Sequence, residues 1–176
     1  MRISVITVCY NAASTLKDAV DSVLGQVPAG EAPFELEYIV VDGASTDGTL
    51  DLLASYSERI ATLISEPDQG LYDAMNKGVQ AATGDVVAIL NADDVYASTD
   101  VLAQVARAFT ASGTDAVYGD LNYVAADNLS RVTRRWRSGA YSPGAFRRGW
   151  MPPHPSLFVR RACYNRWGMF NLSLRS

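Results

Sequence analysis

The sequence predicts an α/β domain with a mainly parallel central sheet and helices on both faces. Three β-rich runs, Ile3–Cys9, Tyr38–Val41 and Val86–Leu90, alternate with segments of helical period through the first two-thirds of the chain. The chain has 176 residues, 48% hydrophobic and 19% charged, enough to bury one core without disulfides.

Ile3–Cys9 reads as the first strand, and Ser14 is placed to cap a helix whose Leu16, Val20, Val23 and Leu24 share one face. Gly30 to Pro33 is a loop, and Tyr38–Val41 is a buried strand ending at Asp42. Thr49 to about Glu58 reads as a helix with Leu50, Leu53 and Ala54 inward, followed by a short strand at Thr62–Ile64. Leu71–Ala82 is helical and stops before Gly84; Val86–Leu90 is the central strand and runs into Asn91-Ala92-Asp93-Asp94. Ser98 or Thr99 is expected to cap a helix that runs to Ser112 and closes on Gly113, before a strand at Ala116–Tyr118. Beyond residue 120 the pattern changes. Leu121–Val124 and Arg131–Trp136 read as antiparallel strands, Ser138–Pro155 as a Gly/Pro-rich loop, Ser156–Val159 as a strand and Arg161–Trp167 as a short helix.

Cys9 and Cys163 lie far apart and form neither a disulfide framework nor metal-ligand spacing, so a reducing compartment is expected. The apolar N-terminal run is short and β-branched, unlike a signal peptide. No segment approaches the roughly 18 apolar residues that cross a bilayer. The expectation is a cytoplasmic protein. Its net charge of −4 hides a polarity: residues 1–127 hold all 19 acids and five of the 15 basic residues, a net −14, whereas 128–176 hold ten arginines and no acid. Either the two parts neutralise one another, or the arginines meet an anionic partner such as a membrane surface.

In open α/β sheets, ligands bind beyond the carboxyl ends of the strands. Tyr10 and Asn11 follow the first strand here, Asp42 ends the second, Asp68 and Gly70 lie where the third enters its helix, and Asp93 and Asp94 follow the central one. Adjacent carboxylates repel, and a divalent cation such as Mg²⁺ or Mn²⁺ relieves that cost. Structural readings stand beside these: Asp42 capping its turn, Asp68 capping a helix, His154 as polar surface.

Four blocks, ISVITVCYNAASTLKDAVDSVLGQ, EYIVVDGASTDGT, SEPDQGLYDAMNKG and GDVVAILNADD, together resemble the opening of family 2 glycosyltransferases, and MPPHPSLFVRR and YNRWGMFN continue the likeness more loosely. The resemblance implies a Rossmann-like GT-A fold, with residues 1–120 binding a nucleotide-sugar and 121–176 forming a partial acceptor-side part of the same domain. It implies inverting, metal-dependent transfer from a UDP- or GDP-sugar to a glycan or lipid-linked acceptor at the inner membrane face, in polysaccharide biosynthesis. Asn91-Ala92-Asp93 occupies the family's Asp-x-Asp motif, with Asn91 in place of the first acid. Asp93 would hold the metal with Asp94 beside it. Tyr10 and Asn11 would line the base pocket, Asp42 would read the base, Asp68 and Gly70 would line the donor pocket, and His154 would approach the diphosphate. The general base belongs to a later block of the family and is expected beyond Ser176, which leaves Asp120 as an internal candidate. A non-catalytic nucleotide-sugar-binding module is the alternative. A nucleotidyltransferase would need a Gly-rich basic loop after the first strand, which Tyr10–Ser14 does not provide. Nucleic acid is not an expected partner; self-association into a homo-oligomer is.

Overall fold

The computed structural model describes residues 1–28 and 33–174, so all of the expected Gly30–Pro33 loop except Pro33 lies outside the described residues, as does Ser176. Five strands and four helices alternate first: β1 Arg2–Cys9, α1 Leu16–Leu24, β2 Glu35–Asp42, α2 Thr49–Ala54, β3 Thr62–Ser65, α3 Leu71–Ala81, β4 Val86–Ile89, α4 Val101–Ser112 and β5 Ala116–Tyr118. A hairpin, β6 Leu121–Ala125 and β7 Asn128–Trp136, follows, and then β8 Leu157–Arg160 and α5 Arg161–Trp167. The main sheet has the order β3-β2-β1-β4-β8-β5; β6 and β7 pair separately. β3, β2, β1 and β4 are parallel, while β8 runs antiparallel to both β4 and β5.

The two-residue period of the strands sorts side chains into two cores. Ile3, Val5, Cys9, Tyr38, Val40, Val86 and Ala88 face α1, α2 and α4. Ile6, Val8, Ile39, Val41, Val87 and Ile89 face α3. α3 lies so close to β1 that a Cβ on Gly78 would stand 2.3 Å from Ile6 Cγ2. Gly78→Ala would gain about 1 kcal/mol of helix propensity. Because Ile6 is fully buried and cannot withdraw, overpacking costing about 1–3 kcal/mol opposes that gain. A net loss, read as a lower urea midpoint, is the expected result; an equal or higher midpoint would show that the helix slides freely on the sheet.

Three local expectations are corrected. α2 ends at Ala54 and buries Thr49 and Leu53, leaving Leu50 and Ala54 exposed. The Thr49 hydroxyl accepts the Ala12 N–H at 2.9 Å, and that cross-link helps set which face turns inward. Ser14 does not cap α1, which starts after Thr15 without a side-chain cap. Neither Ser98 nor Thr99 caps α4; the buried Gln26 Oε1 accepts the Leu102 N–H at 3.0 Å from across the fold. The end of α4 matches the expectation, with Gly113 at φ 62°.

Candidate functional site

The parallel register brings the ends of β1, β2 and β4 to one edge, with Cys9 beside Asp42 and Leu90 N–H bonded to Ile6 O at 2.9 Å. Tyr10 stands out from this edge, 66% exposed. Asn11 takes a left-handed φ of 49°, a conformation Asn tolerates better than most residues. Its Oδ1 accepts the Thr46 N–H at 2.9 Å and its own N–H donates to Ser45 Oγ at 2.8 Å, so Asn11 clamps the β1 turn to the 45–49 loop.

Asp42 is fully buried. Its Oδ2 accepts from Ser45 N–H at 3.1 Å and Ser65 O–H at 2.8 Å, and the Cys9 thiol points at Oδ1 from 3.8 Å. Burial first, and then the charge of Asp42, push the Cys9 thiol up to about 12, so it is a weak donor and not a nucleophile. Asp68 is partly exposed, with Oδ1 accepting the Gly70 N–H at 2.8 Å. Gly70, at φ 109°, starts α3 in a conformation that side chains rarely adopt. Lys77 is engaged with Glu66 at 2.9 Å and Asp73 at 3.6 Å.

Past β4, Asp93 is exposed and Asp94 half-buried. Burial raises the Asp94 carboxyl, the charge of Asp93 raises it further, and the amide hydrogen bond from Asn91 at 3.1 Å opposes both. Asn91 Oδ1 is buried without a hydrogen-bond partner among the described residues. An orphan acceptor beside two carboxylates suits a cation or its water ligand. Among the described residues no three His, Cys, Asp or Glu side chains gather as ligands. A cation here would therefore draw remaining ligands from phosphate oxygens and water, as Mg²⁺ commonly does.

Asp93, Asp94 and Asp120 line one cavity of about 600 Å³, walled by α4, β5 and the β6–β7 hairpin. Asp120 Oδ1 accepts the Ser138 N–H at 2.9 Å, and Oδ2 faces Arg137 at 3.9 Å. Ser176, beyond which the resemblance places the general base, lies outside the described residues; of the acids lining this cavity, Asp120 is the one outside the β4 turn. His154 does not join this group. It lines a second cavity of about 500 Å³ with Met151, Tyr164, Trp167 and Phe170, stacked on Phe170 at 5.9 Å. Burial lowers the imidazole below its usual value, leaving it neutral at pH 7. The sequence reading missed Ser45 and Ser65 as partners of Asp42 and Gly43 as a close-approach position, since none of the three has a spacing signal.

A mainly parallel sheet with one polar edge at its strand ends, and an Asn-x-Asp turn after the central strand, agrees with the GT-A fold that the motif resemblance implies. Solved structures agree. Staphylococcus aureus TarS 1–349 in complex with UDP superposes with a TM-score of 0.77 at 20% identity, covering 100% of this chain and 52% of that one. The mannosyltransferase PcManGT from Pyrobaculum calidifontis, in complex with GDP-Man and Mn²⁺, gives 0.74 at 24% identity, covering 98% and 48%. The family model described as Glycosyl transferase family 2 matches residues 4–166, and the chain belongs to that family. A PGL/p-HBAD biosynthesis glycosyltransferase of Mycobacterium bovis is 35% identical over 98% of this chain and 64% of its own length. An uncharacterized glycosyltransferase of Mycobacterium tuberculosis is 38% identical over 63% of this chain and 41% of its own. The chain thus spans less than two-thirds of the length of these curated relatives.

Proposed function

We propose that the chain binds a UDP- or GDP-linked sugar together with Mg²⁺ or Mn²⁺, as the donor part of an inverting glycosyltransferase. The observation that carries this is the β4 terminus, with two carboxylates and an unpartnered amide oxygen, at the same sheet edge where the exposed ring of Tyr10 follows the neighbouring strand β1. The UDP bound to TarS and the GDP-Man and Mn²⁺ bound to PcManGT support the same ligand class. Asp93 and Asp94 would hold the cation, whose chemistry there is to offset negative charge on the departing diphosphate. Tyr10 would stack on the base, a contact worth about 1–3 kcal/mol. Asn11 and Asp42 would keep the pocket's turns in place, and Gly70 would let α3 begin close to the ligand. His154 would act through its packing on Phe170, beside the site rather than on the cation.

Residues 1–120 would supply this donor pocket and 121–176 one wall of the acceptor side. Asp120 would face the acceptor hydroxyl as general base across the cavity it shares with Asp93. A second reading, a nucleotide-sugar-binding module without transfer, is favoured by the engagement of Asp120 with Ser138 and Arg137. Titration calorimetry with UDP, GDP and their sugars, with and without Mn²⁺, tests the binding; absence of heat with every nucleotide would refute both readings. Transfer assays with Asp120→Asn then separate them.

The arginines suggest where the acceptor lies. Among the described residues from 128 onward, only Arg131 and Arg137 meet a carboxylate within 4 Å. No helix among the described residues is long and apolar enough to cross a membrane. Peripheral contact with anionic lipid at the inner membrane face would bring a lipid-linked acceptor to the site, each basic residue near the surface contributing about 1 kcal/mol. The expected result is co-flotation with phosphatidylserine vesicles that is lost at high salt. No flotation at low salt would refute it and assign the arginines to the fold.

A further inference from the structure

The β6–β7 hairpin stands apart from the main sheet, its two strands pairing only with each other. A two-stranded hairpin is marginal in water unless its apolar face is covered. Here that face looks into a gap. Val124, Leu129 and Val132 of the hairpin line the same cavity of about 600 Å³ as Val105 and Ala108 of α4 and Val117 of β5. Leu129 and Val132 remain 44% and 40% exposed. A break in register builds this face. Val132 and Arg134, two residues apart on one strand, would ordinarily point the same way. Tyr123 pairs with Arg134 but Val124 pairs with Val132, which leaves Thr133 unopposed. The extra residue parts the two side chains, as β-bulges do. Arg134 lies over the Tyr123 ring at 5.2 Å, while Val132 lines the cavity with Val124.

The charged walls of this cavity are all acidic: Asp93 and Asp94 after β4, and Asp120 after β5. No Lys or Arg among the described residues lines it, and Arg137 faces Asp120 from outside those walls. Tyr10, Asp42 and Asp68 lie outside it too, so it is a different space from the one beside the exposed Tyr10 ring.

We propose that this cavity holds the apolar part of the acceptor, alkyl or aryl and uncharged, beneath the β6–β7 hairpin, with the reacting hydroxyl toward Asp120. This rests on the nucleotide-sugar reading above. The cavity has the size and character of a small-ligand site, mostly apolar with a few placed polar groups. Its continuity with Asp93 and Asp120 makes the occupant a co-substrate. Three carboxylates without a lining cation repel a phosphate or carboxylate, which leaves an uncharged occupant.

Calorimetric titration with methyl, butyl, hexyl and phenyl β-glucoside, in the presence of UDP and Mn²⁺, tests this. Affinity should rise about fourfold with each methylene that leaves water, from methyl to hexyl glucoside. Phenyl glucoside reports whether an aryl group serves as well as an alkyl chain. Hexyl phosphate, with the same chain and a charge, should bind more weakly than hexyl glucoside. Leu129→Asp puts a charge on the hairpin face, and Ala108→Trp fills the cavity from α4. Both should flatten the dependence on chain length, and melting curves establish that each is folded. Hexyl glucoside no tighter than methyl glucoside on a chain that binds UDP overturns the apolar site and leaves the nucleotide site standing, as does a slope that persists in both variants. Hexyl phosphate as tight as hexyl glucoside overturns the uncharged assignment. A wild-type dimer that Leu129→Asp splits, read by sedimentation, gives the hairpin face to a second copy and overturns the proposal. No UDP binding by the wild-type chain overturns both readings.

Discussion

Asp93→Asn is expected to remove the cation-dependent part of nucleoside diphosphate binding. The exposed carboxylate of Asp93 is the one acid of the β4 turn with no hydrogen bond from the described residues, whereas Asp94 is half-buried and takes the Asn91 amide. The Asn91 side chain carries no charge, so the pair provides two negative charges at most before a diphosphate adds its own. Affinity in Mn²⁺ should drop by about 100-fold, since even residues that merely orient a metal ligand cost 10- to 100-fold when changed. Affinity in EDTA should hardly move. Calorimetry under both conditions reads the difference directly. A variant that keeps its full response to Mn²⁺ would dismiss Asp93 as a ligand and turn attention to Asp94 and Asp120, the other acids of that cavity.

Glu37→Ala is expected to cost the most stability, about 3–5 kcal/mol, the scale for removing one partner of a buried charged network. That is a large share of the roughly 5–15 kcal/mol that holds a domain folded. Glu37 is 4% exposed, at the opposite end of β2 from the candidate site. It accepts hydrogen bonds from the Ser4 hydroxyl, from Thr83 N–H at 2.8 Å and O–H at 2.6 Å, and from Gly84 N–H at 3.2 Å, and it pairs with Arg2 at 3.1 Å. Burial works against its charge, but the hydrogen bonds from Ser4 and Thr83, with Arg2, outweigh it and hold the carboxyl below the usual glutamate value. A folded-state value lower than the unfolded one stabilises the fold above the unfolded value of about 4.3 and loses that contribution as pH falls through the folded value. Urea midpoints of wild type and variant should therefore lie far apart at pH 7 and approach one another in acid. A difference under about 1 kcal/mol at pH 7 would mean that Ser4, Thr83 and Arg2 rehydrate without loss.

Much of the architecture follows from local pattern. β1, β2 and β4 are apolar runs rich in β-branched residues, and the distribution of their side chains over two cores follows from the alternation alone. The end of α4 at Gly113 and the hairpin β6–β7 have equally local causes, a left-handed glycine and a polar turn between two strands. β8 is different. Its four residues carry no register information, and its pairing with β4 and β5 joins segments tens of residues apart, so its place between them depends on the packed sheet. Gln26 capping α4 and Asn76 exchanging two hydrogen bonds with the Phe170 backbone are likewise long-range.

The candidate site divides along the same line. Strand order and strand ends are enough to bring Tyr10, Asp42, Asp68 and Asp93 to one edge, because parallel strands share their carboxyl ends. Which carboxylate oxygen remains free at that edge is a matter of neighbours: Ser45 and Ser65 donate to Asp42 Oδ2, while the missing side chain of Gly43 leaves room for Asp68. The separation of His154 from Asp93 into different cavities has the same origin, the insertion of β8 beside β4. From the sequence alone come the parallel sheet, the two-sided core and the set of polar residues at its edge, all products of short-range periodicity. Only the tertiary structure decides which of those residues has an unspent hydrogen-bonding atom, because that depends on donors the chain brings in from other strands and turns.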